Sequence, residues 1–321
     1  MKNHVINFLK DNKIHKILKP LNFSDFFITF DNMKTTSNLI FTLLNLLFIS
    51  AFSQQKIKVI DLENNQPISY AKVILEDGTY RNTETDGSIN IFPNEKIIEI
   101  QSFGYEILKI SEYKTSYFLI PKFKNIEEVI IENPKQNKFF RIGKIKKEKI
   151  SHSFIASKNT WSIVSFFESK DNPNYKFIKN IKFYNNVEST KKDATINLII
   201  FKNENGRPSE EIWKSFTIRC KPGKKITTKN FKTPIQFPDE GLFIGFEWII
   251  NDENSFEQEF ILNNKYNETK KTLKKFNNPY IYSQTSESNE ILIKTKSGWE
   301  KSNHNILNEN RRLSIELTLT N

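Results

Sequence analysis

At 321 residues the chain is long enough for one large domain or two ordinary ones, and its 37% hydrophobic residues, 28 of them Phe, supply a real core, which excludes global disorder. The net charge of +11 comes with only six Arg among 48 basic residues, so the forked contacts that favour phosphate are scarce; a solvated lysine-rich surface is expected, and no nucleic-acid partner. A single cysteine, Cys220, excludes an intramolecular disulfide and an intrachain thiolate metal cluster, and its place in "FTIRC" predicts a packed thiol at a strand end.

In chain order, the first informative stretch is "MKTTSNLIFTLLNLLFISAFSQQ", residues 33–55. A Met, a Lys and an apolar run from Leu39 to Phe52, without a polar stripe, have the layout of a secretory signal peptide over 33–53. Cleavage is expected near Ser53; an uncleaved segment would instead give membrane contact. Residues 1–32 then read as a spurious N-terminal extension from an upstream start, or as a short amphipathic helix around Val5 to Leu18. No cysteine follows the apolar run to receive a lipid.

From Lys56, short Ile-, Val- and Tyr-rich runs alternate with Asn-Asn, Asp-Gly, Pro-Asn and Phe-Gly at intervals of about ten residues, the rhythm of an all-β sandwich. Asp77-Gly78 and Asp86-Gly87 predict tight hairpins, with "TYRNTE" as a short strand between them. In "SINIF", Ile89 and Ile91 alternate against Ser88, Asn90 and Phe92. Pro67, Ala71 with Val73, Thr85-Asp86-Gly87, and Gly104-Tyr105 follow in an order that resembles the carboxypeptidase regulatory-like domain, a transthyretin-like β-sandwich common in envelope proteins of Gram-negative bacteria. The resemblance covers 56–133, with "IEEVII" as closing strand. It implies an exported protein that is periplasmic, outer membrane-associated or secreted. Asp86 is expected to close its own turn, and Tyr105 to sit at the core edge.

The resemblance does not imply a peptidase. A metallocarboxypeptidase holds zinc with histidines and a carboxylate, whereas His4 and His15 precede the signal, leaving His152 in "SHSF" and His304 in "NHNI" as the remaining histidines. No catalytic, cofactor-binding or metal-ligating residue is therefore assigned, no cofactor is expected, and the protein is read as non-enzymatic. An outer-membrane transporter barrel would need more than the 188 residues after Asn133.

Residues 134–150 read as a basic linker. Beyond it, eight strand-like runs over 151–321, from "WSIVSFFE" to "RRLSIELTLT", predict a second, larger β-sandwich of jelly-roll type, with "ETKKTLKKF" as a short helix or a charged loop. Asn205-Gly206-Arg207-Pro208, Gly223, Pro238, Glu240-Gly241 and Glu247-Trp248 resemble the C-terminal region of envelope proteins that share the first module, which implies a fold and a compartment but no activity.

Jelly rolls bind sugars on aromatic platforms. Trp161, Trp213, Trp248 and Trp299 are the candidates, with Trp248 expected in the core and Trp299, in "KSGWEKSN", expected to be exposed. The expected function is a structural or binding role with a glycan or envelope-protein partner. One alternative is a carbohydrate-active hydrolase using carboxylates such as Glu247 and Asp252; another is binding to nucleic acid or an anionic surface through charge.

Overall fold

The computed structural model describes residues 55–122, 134–157, 161–168, 174–188, 192–263, 269–287, 290–295, 297–302 and 310–321. The signal segment, the residues before it, "IEEVII" and His304 lie outside the described residues. Among the described residues the chain is all-β, as its short alternating runs predict, and none of its helices is long and apolar enough to cross a membrane.

Seven strands build the first unit: β1 (Gln55–Asp61), β2 (Lys72–Leu75), β3 (Tyr80–Asn82), β4 (Ser88–Ile91), β5 (Ile97–Gln101), β6 (Leu108–Lys109) and β7 (Ser116–Leu119). They form a three-stranded sheet in the order β4-β1-β7 and a four-stranded sheet in the order β3-β2-β5-β6. The period of two puts Ile57 and Val59 of β1, Val73 and Leu75 of β2, and Ile89 and Ile91 of β4 into one shared core, while Asn90 and Phe92 point outward.

The Asp77-Gly78 pair is the expected hairpin: β2 pairs with β3, and the Leu75 amide donates to the Thr79 carbonyl at 2.8 Å. Asp86-Gly87 is not. Strands β3 and β4 belong to different sheets, so this turn is a corner that carries the chain across the core. Gly87 makes the corner possible. Its φ is +73°, and a Cβ there would lie 2.8 Å from both Pro67 Cβ and the Val59 carbonyl oxygen.

The second unit contains β8 (Phe139–Ile142), β9 (Ile150–Ala156), β10 (Ser162–Phe167), β11 (Phe177–Val187), β12 (Ala194–Glu204), β13 (Arg207–Pro208), β14 (Lys214–Cys220) and β15 (Gly223–Gln236). It continues with β16 (Leu242–Trp248), β17 (Ser255–Asn263), β18 (Thr269–Thr285), β19 (Ile291–Thr295), β20 (Gly298–Lys301), β21 (Arg311–Leu313) and β22 (Ile315–Thr320). One sheet follows the path β13-β12-β16-β10-β19-β20, with β14 on β12; the other follows β17-β18-β11-β22-β8, with β15 on β11 and both β9 and β21 on β18.

Between the two sheets lies a core that includes Ile181, Phe183, Ile196, Ile244, Phe246, Trp248 and Leu317. Strand β16, "LFIGFEW", is buried on both faces: Leu242, Ile244, Phe246 and Trp248 face this core, while Phe243 joins Val164, Ile199 and Phe201 in a smaller cluster on the outer face.

Two expectations change here. The stretch 134–150 is not only a linker, because Phe139–Ile142 pairs with β22, the final strand, and so belongs to the large sheet. "ETKKTLKKF" is neither helix nor loop, since from Thr269 it runs into the seventeen-residue β18. One of its lysines, Lys275, lies directly across from an acid of β17, Glu257, and Lys271 Nζ reaches diagonally to Glu259 at 2.8 Å.

Candidate functional site

Where the two units meet, hydrogen bonds run in both directions between the β3–β4 corner and the loop after β16. The Asn82 amide donates to the Ile250 carbonyl at 2.7 Å, and the Ile250 amide returns a bond to Asn82 Oδ1 at 2.9 Å. Asn82 is buried, and its remaining donor reaches the Tyr70 carbonyl at 2.9 Å.

Two carboxylates then clasp opposite strands of the chain. Glu84 accepts the backbone amides of Asp252 and Glu253 at 2.8 and 3.2 Å, while Glu253 accepts the hydroxyl and amide of Thr85 at 2.6 and 3.4 Å. Partial burial and the nearby Glu253 and Asp252 charges push the Glu84 carboxyl up despite the two amides that favour its charged form. The motif residues "NTETDG" thus serve attachment, and the fixed turn at Asp86-Gly87 aims them.

Beside this clasp opens a cleft of about 760 Å³, within the size range of small-ligand sites. The first unit contributes Tyr70, Lys72 and the segment around Phe103 and Tyr105; the second contributes Trp213, the outward residues of β14, and Glu247. Lys72 Nζ lies 2.6 Å from Glu247 Oε1, with both side chains mostly covered, and 4.8 Å from the Tyr80 ring centroid. Burial alone would lower the Lys72 pKa, but the Glu247 charge and hydrogen bond and Tyr80 outweigh it, and the ammonium is held above its usual range.

Trp213 stands at the mouth, half-buried, with Lys214 Nζ 5.4 Å from its ring centroid. Phe103, half exposed, also lines the cleft. An aromatic surface beside amides and hydroxyls such as Gln101, Asn197 and Thr217 can hold the apolar face of a sugar ring and bond its hydroxyls.

The residues singled out in the sequence fall as follows. Glu247 and Asp252 are not a facing pair: Glu247 lines the large cleft bound to Lys72, while Asp252 lines a separate cavity of about 420 Å³ and binds Lys275 at 2.8 Å. Trp248 is fully buried, donates from Nε1 to the Pro279 carbonyl at 2.7 Å and stacks on Trp161 at 5.0 Å. Trp299 is half-buried rather than exposed, edge-on to Phe201 at 5.1 Å, because β20 folds it over the outer cluster. Trp213 is the tryptophan that reaches the cleft.

Asp86 closes its own turn through the Ser88 hydroxyl and amide, at 2.5 and 2.9 Å, which hold its carboxyl below the usual carboxylate value. Tyr105 donates to Asp61 at 2.8 Å, and burial with that bond pushes the phenol up to about 12. Cys220 is buried at the end of β14, its thiol pushed up to about 12 by burial. His152 lies on β9, and among the described residues no three His, Cys, Asp or Glu side chains gather as metal ligands.

Sequence reasoning missed Asn82, Glu84, Thr85 and Glu253 as a group. The one signal available was the pair of polar tetrads "NTET" and "NDEN", each placed where a strand run ends. Comparison of the chain with protein-family models, with curated proteins and with solved structures finds no match.

Proposed function

We propose that the protein is an exported, non-enzymatic β protein of the cell envelope, in which a carboxypeptidase regulatory-like module is docked on a larger jelly-roll-like sandwich and the cleft between them binds a glycan. The observation that carries this reading is the cleft itself, which Trp213 and Phe103 line together with polar side chains and whose volume suits a short oligosaccharide. The ion pair with Lys72 speaks for Glu247 as a wall of the cleft rather than an acid of a hydrolytic pair. The test is a glycan array followed by calorimetric titration of the hits. Trp213→Ala is expected to weaken binding at least roughly tenfold without changing the fold, since stacking supplies a large share of sugar affinity. A blank array, or hits indifferent to Trp213, would leave the cleft without this role.

A second reading, carbohydrate hydrolysis, rests on the three carboxylates lining the cleft, Glu210, Glu211 and Glu247. Release of reducing ends from the array hits, abolished by Glu247→Gln, would establish it in place of the first.

A further inference from the structure

The positive charge of the chain has a focus that composition does not reveal. From Lys214 to Gln236 the sequence holds six lysines and Arg219, and no Asp or Glu. This segment is β14 and β15, which pass through Lys221-Pro222 from one sheet of the larger sandwich to the other.

Among the described strands β14 pairs only with β12 and β15 only with β11, so both are edge strands. They border the same side of the sandwich, which Phe216 and Phe231 close with ring centroids 5.1 Å apart. The paired stretches of β11 and β12, Phe177–Val187 and 194–200, add no carboxylate. Lys214, Arg219, Lys221, Lys224, Lys225 and Lys232 are exposed, and Lys229 lies over the Phe216 ring at 5.2 Å. Among the described residues the ion pair of this segment is that of Arg219 with Asp193, at 2.7 Å.

Lysines on an edge strand also discourage unwanted strand pairing, but a few charges are enough for that. Six lysines and Arg219, with Asp193 paired to the arginine, add mutual repulsion, which an anionic partner would relieve. At about 3.3 Å per residue, the regular stretch Lys224 to Lys229 of β15 spans roughly 16 Å, with Lys221 beyond one end and Lys232 beyond the other, a row suited to an extended polymer rather than a compact anion.

The chemistry narrows the class. Base stacking needs exposed aromatic faces, whereas Phe216 and Phe231 are turned on each other and one is covered by Lys229. A bilayer-inserting surface needs several exposed apolar side chains, and of the large apolar residues on these two strands only Ile226 is exposed. Ammonium groups on flexible stems suit carboxylates or sulfates spaced along a sugar chain.

We propose that the β14–β15 edge is a docking surface for a linear acidic polysaccharide. It is a second surface beside the cleft and does not depend on sugar binding there, although Lys214 borders both.

The test measures binding of the full chain to polygalacturonate and to heparin, with dextran, single-stranded DNA and anionic phospholipid vesicles as comparators, at several salt concentrations. The expected result is binding to the two acidic polysaccharides at physiological salt, none to dextran, and weakening as salt rises. Replacing Lys224, Lys225 and Lys232 by Glu should lower affinity by roughly tenfold or more, and replacing them by Gln should lower it less. The charge-matched triple of Lys144, Lys147 and Lys149 to Glu should change it far less. Circular dichroism confirms that each variant folds. Equal losses in the two Glu triples, tighter binding to DNA or vesicles, or no binding at physiological salt would overturn the assignment.

Discussion

At the scale of single residues, Tyr105 shows how a local motif becomes a structural joint. Its hydroxyl, following Gly104, reaches back to Asp61 at the end of β1, and Asp61 also accepts the Glu63 amide at 2.8 Å, so one carboxylate ties a turn to a neighbouring loop. Because burial and the Asp61 bond raise the phenol to about 12, the stability it contributes is complete below the usual tyrosine value near 10 and is lost as pH climbs toward 12. Tyr113, Tyr280 and Tyr282 are also raised by burial, so ultraviolet difference titration of the native protein should show several tyrosines ionising late, and Tyr105→Phe should remove the part that appears toward pH 12. The roles of Asp86 and Cys220 were legible in the sequence because each depends on neighbours a few residues away or on burial at a strand end, and the core-edge place of Tyr105 was expected too, but not its bond to Asp61, which lies 44 residues away. Trp299 was misread because its polar flanks hide Phe201, which is almost a hundred residues distant and meets it only after folding.

At the scale of elements, the Asp86-Gly87 turn carries the most consequence per residue. The dipeptide specified a turn correctly but could not specify whether the flanking strands pair, because that depends on β1 and β2 rather than on the turn. Gly78 and Gly87 both have positive φ, yet a Cβ at Gly78 would meet nothing within 4 Å, while at Gly87 it would strike Pro67 and the Val59 backbone. Gly78→Ala should cost about 1 kcal/mol for the left-handed conformation, and Gly87→Ala roughly 2–4 kcal/mol, when both are measured by urea denaturation. Equal costs would mean that the corner has room to relax. Strand β18 was illegible for a related reason: its lysines look like a solvated helix until β17 is laid alongside, which puts Glu257 across from Lys275 and Glu259 within reach of Lys271. Lysine-rich strands acquire a strand pattern only in register with their partner.

At the scale of the whole molecule, the all-β architecture followed from turn spacing and period-two burial. The union of two cores did not, since polar residues such as Asn82, at the end of β3, and Asn251, in the loop after β16, carry no periodic signal. The clasp is what sets the cleft walls: Lys72 and Tyr70 come from one core and Glu247 and Trp213 from the other, so the cleft has a defined shape only while the contact holds. Asn82→Ala removes a buried side chain with two hydrogen bonds and leaves the Ile250 amide without its acceptor, a loss of roughly 2–3 kcal/mol. Calorimetry of the full chain tests this most directly. The wild-type chain from Gln55 onward should unfold in one transition, and Asn82→Ala should split it into two with the smaller unit melting first. Two separate transitions in the wild type, or a single unshifted one in the variant, would contradict the account.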